Sequence, residues 1–269
     1  MINVSNYQFV ISESSSKGNQ RKFYKDGYWF KIDNERCFEG LAEEFVSLFC
    51  SCIYDFSYVP YKADIIVYND EEYTGCYSYN MYNDKEVSFV SLRKIFRSNN
   101  IPLNIFHKET STAQNIMNTV STVQSLTGLN IFHYLNQLLY LDALIVNEDR
   151  HYMNIGVCLK GNQFLIAPCF DNGSSLFCVN WTYRKTKSFE ENIKNTLSVA
   201  RPFSKFYIKQ IQALQSLGAK PLFINKQKLD LLLTEYNSNI YPANKVELIK
   251  SLLRYKLDYF RESRLYAYV

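Results

Sequence analysis

Two short polar segments near the middle of the chain have the residue types and spacing that phosphoryl transfer from a metal-bound nucleotide requires. Residues 147–154 read NEDRHYMN, and residues 171–173 read DNG. The Asp149 carboxylate can accept or orient the proton of an attacking hydroxyl. The Asn154 amide oxygen and the Asp171 carboxylate can hold Mg²⁺ against the phosphates, because this ion takes only one or two carboxylates beside waters and phosphate oxygens. The spacing favours a kinase.

The elements around these segments are the ones that would position them. Residues 131–146 have apolar side chains at helical spacing and predict a buried helix that leads into the first segment. Residues 155–159 and 163–167 flank a Lys-Gly-Asn turn and predict a hairpin. That hairpin would bring Asn154 and Asp171 side by side. A lone loop aspartate usually caps or cross-links a loop, whereas loop, hairpin and second aspartate together favour a metal site.

The same stretch resembles a known family. Residues 141–154, LDALIVNEDRHYMN, resemble the catalytic loop of the HipA-like serine/threonine protein kinases, a group that includes bacterial persistence toxins and a secreted Helicobacter kinase. Residues 167–176, APCFDNGSSL, resemble the metal-binding segment that replaces Asp-Phe-Gly of ordinary protein kinases. The resemblance implies an α+β, two-lobed protein-kinase-like fold, with a small antiparallel-sheet N-lobe, a helical C-lobe, and ATP and Mg²⁺ in the cleft between them.

His151 and Arg150 of the first segment also have predicted roles. We assign His151 to the nucleotide-binding set, as a group that braces the loop through hydrogen bonds rather than one that takes a proton. Arg150 could pair with an acidic group in the activation segment. The isolated His107 and His133 are read as surface or packed histidines, because no HExxH or HxH pattern that would indicate zinc is present.

The N-terminal part should hold the nucleotide. Residues 7–11 and 21–24 predict strands around a small, polar loop, whose members Ser15, Ser16, Lys17 and Gly18 would let backbone N–H groups approach phosphate oxygens. Residues 28–32, YWFKI, resemble the strand that carries the phosphate-binding lysine, so Lys31 joins Asp149 as a catalytic residue. An exposed edge-strand lysine is the alternative for Lys31, and Lys22 is the competing candidate.

A helix predicted over residues 39–53 should supply the carboxylate that pairs with Lys31. Glu43 best matches the family's glutamate in this helix. Glu39 and Glu44 stay open, because glutamates at a helix start are common for dipole reasons alone.

The remaining pattern sets the lobe boundary. Strands over 63–68 and 75–82 complete the small sheet, and the second leads into a hinge where Met81 would contact the adenine. Residues 83–85 mark the boundary between an N-terminal nucleotide-binding lobe, 1–83, and a C-terminal catalytic lobe, 84–269. Further helices are predicted at 88–96, 111–126, 205–217, 226–236 and 244–262. Residues 174–204 would form the activation or substrate-binding segment.

Composition bounds the class of protein. The 269 residues suffice for one two-lobed unit, and a net charge of +4 does not indicate a nucleic-acid partner. The sequence contains no run of roughly 18 apolar residues, so it predicts no membrane anchor. Residues 1–5 lack the start of a signal peptide. Seven cysteines without a CxxC pair suggest reduced thiols. We therefore expect a cytoplasmic protein of undetermined oligomeric state.

Three functions are compatible with this sequence. The favoured one is an ATP- and Mg²⁺-dependent serine/threonine protein kinase that acts on an unknown protein and autophosphorylates, most readily at residues 14–16 or 174–204. The second is a kinase acting on a small molecule or a lipid. The third is a pseudokinase that binds nucleotide and serves as an interaction module, which the retained Lys31, Asp149, Asn154 and Asp171 argue against.

Overall fold

The computed structural model describes residues 1–10, 20–101, 111–179, 191 and 200–269. Within these residues, the N-terminal part is rich in strands and the C-terminal part is mostly helical. The expected α+β class is therefore confirmed. No helix of the described residues is both long and apolar enough to cross a membrane.

A six-stranded sheet dominates the N-terminal part. Its strands are β1 (Ile2–Asn3), β2 (Gln8–Val10), β3 (Lys22–Lys25), β4 (Tyr28–Ile32), β5 (Tyr61–Tyr68) and β6 (Glu71–Tyr79), in the spatial order β1-β5-β6-β4-β3-β2. All neighbours pair antiparallel except β1 and β5. Helix α1 (Glu39–Cys50) connects β4 to β5 and packs against β5 and β6.

The C-terminal part follows a short 3₁₀ turn at Met81–Asn83. Its elements are β7 (Ser88–Ser91), α2 (Leu92–Ser98), α3 (Thr112–Thr127), α4 (Phe132–Ile145), β8 (Gly156–Lys160), β9 (Gln163–Ile166), α5 (Tyr207–Ser216), β10 (Leu222–Ile224), α6 (Lys226–Glu235), α7 (Ala243–Tyr259), a 3₁₀ turn at Arg261–Ser263, and β11 (Tyr266–Tyr268). Strands β7, β8 and β9 form an antiparallel sheet, and β10 pairs with β11 in parallel. The predicted hairpin is thus confirmed as β8 and β9.

The helix predicted from residue 88 is wrong in its first four residues. Residues 88–91 form β7, in which Phe89 pairs with Cys158 of β8. The helix begins only at Leu92, where the Ser91 hydroxyl accepts a hydrogen bond from the Lys94 backbone N–H at 3.2 Å. A partner strand distant in sequence therefore decided the conformation of a short run that is compatible with either element.

Helix α1 is packed into the same hydrophobic core as the C-terminal helices. Leu41, Phe45 and Phe49, spaced four apart, are fully buried in one cluster with the apolar residues of α4 and α7. A smaller cluster beneath the sheet contains Phe23 and Ile66. The N-terminal sheet thus has a core of its own, whereas α1 belongs mainly to the core of the C-terminal part.

Candidate active site

A cleft of about 490 Å³ lies between the six-stranded sheet and the C-terminal part. This volume lies within the usual range for small-molecule sites. The residues that line the cleft are Lys22, Tyr24, Trp29, Lys31, Val59, Tyr61, Ser78, Tyr79, Asn80, Met81, Lys85, Val87, Ser88, Phe89, Phe170 and Asp171. Of the predicted site residues, Lys31, Met81 and Asp171 therefore reach one cavity.

The sheet side of the cleft presents two lysines beside two aromatic rings. Lys22 of β3 pairs with Lys31 of β4, and Tyr24 pairs with Trp29. Residues directly opposite on antiparallel strands share a face, so all four side chains are neighbours. The Tyr24 and Trp29 rings are 4.9 Å apart. The two lysines named as competitors from the sequence thus lie together in the cleft, one beside the other.

Lys31 is buried between two carboxylates. Its ammonium Nζ lies 2.5 Å from Glu43 Oε1 and 2.7 Å from Asp171 Oδ1. Burial alone would lower the pKa of Lys31, but Asp171 and Glu43 outweigh burial and raise this pKa well above its ordinary value. Lys31 is therefore a fixed cation, and the reading of it as an exposed edge-strand lysine is wrong.

The three glutamates of α1 have three different partners. Glu43 contacts Lys31 and accepts a hydrogen bond at Oε2 from the Asn172 backbone N–H at 2.8 Å. Glu44 instead accepts a bond from the backbone of β5, and Glu39 accepts two bonds from Asn34. Glu43 thus joins α1 both to the sheet lysine and to the segment that carries Asp171.

Asp171 points part of its carboxylate into the cleft. Its side chain is 26% exposed, and among the described residues no donor bonds its Oδ2. Burial raises the pKa of Asp171, but Lys31 and Lys22 oppose this more strongly and hold the pKa far below its ordinary value. The residue has φ 58°, in the left-handed region that aspartate and asparagine tolerate better than most residues.

Arg150 ties the two polar segments together. It is fully buried, and its Nε lies 3.0 Å from Asp142 Oδ2 in α4. Its Nη1 donates to the carbonyls of Phe170 (2.8 Å) and Asn154 (3.3 Å), and its Nη2 donates to Asn172 Oδ1 (2.6 Å). One guanidinium thus holds both ends of the β8–β9 hairpin, because its donors form a planar fork. The expected pairing of Arg150 with the activation segment is wrong, since its acidic partner lies in α4.

Hydrogen bonds through the backbone hold Asp149 in place. Its N–H donates to Asn147 Oδ1 at 3.0 Å, and its carbonyl accepts from Asn154 Nδ2 at 3.0 Å. Tyr207 of α5 donates to the Asn147 carbonyl at 2.6 Å. Since Asn154 uses its amide nitrogen in this way, its amide oxygen is bonded by no donor within the described part of the chain.

The Asp149 carboxylate lies between two basic side chains. His151 Nε2 is 3.7 Å from Oδ2, and Arg201 Nη1 is 3.9 Å from Oδ1. The Asp149 side chain remains 20% exposed. His151 does not line the cleft, so the structure places it beside Asp149 and not against the cavity. Arg201 is not among the predicted site residues; it lies in the segment ARPFS, residues 200–204, at the end of the predicted activation segment.

Some predicted site residues lie outside the described residues. These are Ser15, Ser16, Lys17 and Gly18 of the N-terminal loop, together with most of the predicted activation segment.

Two oxygen donors, one at the cleft and one at the start of the β8–β9 hairpin, fit Mg²⁺. Asp171 supplies one carboxylate oxygen and Asn154 one amide oxygen, and Mg²⁺ typically takes few protein ligands beside phosphate oxygens and waters. Across the described residues, no group of three or more His, Cys, Asp or Glu side chains is placed to hold a metal. The donor set therefore suits a cation that is shared with a phosphate ligand.

Comparisons with known proteins bear on the fold. No family model and no curated protein matches the sequence. The structure is similar to the proinflammatory kinase CtkA of Helicobacter pylori, with a TM-score of 0.65 and 11% identity over 98% of this chain and 96% of that chain. It is also similar to a chain of the Shewanella oneidensis HipA–HipB–operator DNA complex of a toxin–antitoxin system, with a TM-score of 0.50 and 11% identity over 93% and 67%. The expected resemblance to HipA-like kinases is confirmed at the level of the fold.

Glu39 is a buried carboxyl near this network. Its two oxygens accept from the Asn34 backbone N–H (3.1 Å) and side-chain amide (2.7 Å). Burial and the nearby Asp33 raise the pKa of Glu39 from 4.5 to about 7. Because the pKa of Glu39 is raised in the folded state, the contribution of Glu39 to the free energy of unfolding is fully present below pH 4.5. That contribution is lost as the pH rises towards 7.

We therefore expect Glu39→Gln to flatten the pH dependence of the free energy of unfolding between pH 5 and 7. The wild-type loss attributable to Glu39 over this window is about 3 kcal/mol, from 1.36 kcal/mol per pKa unit. Urea unfolding at several pH values measures this pH dependence of the free energy of unfolding. Glu35→Gln, at an exposed site, is the control and should keep the wild-type slope. Equal slopes in wild type and Glu39→Gln would contradict the assignment.

Proposed function

We propose that this chain is an ATP- and Mg²⁺-dependent phosphotransferase of HipA-like type that phosphorylates serine or threonine in proteins. The observation that carries the proposal is the network Lys31–Glu43–Asn172, with Asp171 bound to the same lysine at the cleft. Protein kinases require this lysine–glutamate pair together with the metal-binding aspartate. An interaction module without catalysis has no need to assemble these groups.

The cleft is proposed to hold ATP in one orientation. Tyr24 and Trp29 offer two aromatic rings, tilted to each other by 53°, for contact with the adenine, next to the hinge at Met81. Lys22 and Lys31 lie at the cationic end, where they would contact the phosphates.

The chain's own groups divide the remaining work. Asp171 and Asn154 would hold Mg²⁺, which neutralises phosphate charge when bound. Asp149 would accept a hydrogen bond from the acceptor hydroxyl, orienting its oxygen towards the phosphate and taking its proton. Arg201 and His151 lie beside the Asp149 carboxylate, where they would limit its orientation. Arg150 holds the loop and the metal segment at a constant separation.

Mass spectrometry of the purified protein after incubation with Mg-ATP tests the proposal. We expect phosphate on serine or threonine, most readily at residues 14–16 or 174–204, and none when EDTA replaces Mg²⁺. Phosphate only on tyrosine would reject the serine/threonine assignment. Absence of transfer both to the chain and to a peptide array, with transfer to a small molecule in a metabolite screen, would favour the alternative kinase class.

The phosphate anchor yields a further prediction. Lys31→Ala should weaken ATP binding or turnover by roughly 10- to 100-fold, because a charged hydrogen bond contributes about 1.5–3 kcal/mol. Glu43→Ala should cause a milder form of the same defect. The double variant should fall short of additivity, since both residues act through one ion pair.

Calorimetric titration with ATP and steady-state turnover measure these effects. Lys62→Ala, at an exposed position of β5, is the matched control. Full additivity, or no effect at Lys31 beside a large one for Lys22→Ala, would show that Lys31 does not anchor the phosphates.

A further inference from the structure

Two tyrosines from the C-terminal part reach helix α1 at separate points. Both belong to the connection between α6 and α7, residues 236–242. Tyr236 donates its hydroxyl to Glu44 Oε2 at 2.8 Å, and Tyr241 donates to Asp33 Oδ2 at 2.7 Å. Glu44 lies next to Glu43 in the chain. The connection thus contacts α1 itself at Glu44 and the segment that precedes α1 at Asp33, on either side of the residue that pairs with Lys31.

The Tyr241 bond acts on the start of α1 through Asp33. Asp33 follows β4 directly, and its Oδ1 accepts the Gly40 backbone N–H at 2.7 Å in the first turn of the helix. Phe38, at the N-cap position, provides no side-chain cap, so Asp33 satisfies a helix donor that would otherwise lack a partner. Thr74 of β6 also donates to Asp33, at 2.8 Å. Tyr241 therefore donates a hydrogen bond to the carboxylate that binds the first turn of α1.

Steric fit supports the same role for Tyr241. Its hydroxyl occupies the place that a Cβ atom would take at Gly40, against the backbone of Gly75 in β6. Tyr241 is itself buried, and it lies edge-on to Phe38 with ring centroids 6.1 Å apart. The first turn of α1 can approach β6 this closely only because residue 40 has no side chain.

Tyr236 holds the middle of α1. Its ring packs on Phe45 with centroids 5.2 Å apart, and the Glu44 carboxylate also accepts the Ala63 backbone N–H of β5 at 3.0 Å. Glu44 is therefore bonded from the sheet on one side and from the C-terminal part on the other. Rotation of α1 about its axis would break at least one of these bonds.

We propose that Tyr236 and Tyr241, together the tyrosine clamp, are positioning residues that keep Glu43 against Lys31. This inference rests on the proposed function, because the Lys31–Glu43 pair matters for turnover only if the cleft transfers phosphate. In protein kinases the placement of the corresponding helix controls activity. In this chain the clamp sets that placement from the C-terminal part, and α1 stays in the position that catalysis requires.

The test compares single hydroxyl deletions. Tyr241→Phe and Tyr236→Phe should each lower turnover by about 3- to 10-fold, as expected for one lost hydrogen bond. Tyr266→Phe is the matched control, because this buried tyrosine donates to the Leu257 carbonyl away from α1. It should lower thermal stability to a similar extent and leave turnover unchanged. Equal turnover losses in all three variants would overturn the proposal.

A cycle with Glu43→Ala separates positioning from general destabilisation. If the clamp acts through Glu43, Tyr241→Phe should have little further effect on turnover in the Glu43→Ala background. If the double variant instead loses turnover by the product of the two single losses, the proposal is overturned.

Amide hydrogen exchange of residues 40–46 gives a readout that does not depend on turnover. Tyr241→Phe should speed exchange there by about 3- to 10-fold, and Tyr266→Phe should not. Unchanged exchange in Tyr241→Phe would overturn the clamp even if the protein is an active kinase. If the wild-type protein transfers no phosphate but Tyr241→Phe still speeds exchange at residues 40–46, the clamp stands and the proposed function is rejected.

Discussion

Replacing Asp149 with Asn should lower phosphate transfer by about 10²–10⁴-fold and leave ATP affinity almost unchanged. In the proposed mechanism this carboxylate orients and deprotonates the acceptor hydroxyl, and such a role contributes a factor of this size. The variant should stay folded, because Asp149 is held by its own backbone N–H and carbonyl, which asparagine retains. The loss should therefore fall on turnover and not on nucleotide binding.

The measurement pairs single-turnover autophosphorylation with calorimetric titration of ATP. Asp258→Asn, at an exposed site of α7, is the matched control and should behave as wild type in both. An Asp149→Asn protein that autophosphorylates at the wild-type rate would end the case for Asp149 as the catalytic residue. A large loss of ATP affinity would place Asp149 at the nucleotide and not at the acceptor.

Asp171→Ala should reduce Mg²⁺-dependent transfer by more than about 100-fold. Changes to groups that merely support a metal ligand already cost about 10- to 100-fold, so loss of a direct carboxylate ligand should exceed that range. Lys31 would keep Glu43 as a partner, so the change does not leave a buried cation unpaired. Asn154→Ala should be less severe, because its amide oxygen carries no full charge.

Asp171→Asn is the matched variant for this experiment. Asparagine tolerates the left-handed backbone at this position and keeps one oxygen ligand, so it isolates the loss of charge. We expect an intermediate defect that higher Mg²⁺ concentrations partly restore. Turnover is measured with ATP and Mg²⁺ below saturation. Wild-type turnover by Asp171→Ala under these conditions would refute its role as metal ligand.

Local sequence patterns were enough to predict the elements around the site. The apolar periodicity before residue 147, the turn at residues 160–162 and the YWFKI strand each correspond to an observed element within a residue or two. These elements depend on interactions between residues near one another in the chain. Because the polar segments lie directly at their ends, the spacing of Asp149, Asn154 and Asp171 could be interpreted without the tertiary structure.

The identity of each polar partner required the tertiary structure. The sequence favoured Glu43 as the partner of Lys31 but could not exclude Glu39 and Glu44, treated Lys22 and Lys31 as competitors, and directed Arg150 to the wrong acid. Side-chain charge alone does not specify a partner, because every surface glutamate could satisfy a lysine. Only the packing of α1 against the sheet and the C-terminal core turns Glu43 inwards and sends Glu44 to Tyr236, almost 200 residues away in the chain. Local spacing thus indicated the proposed chemistry, and long-range packing decided which polar residues contact one another.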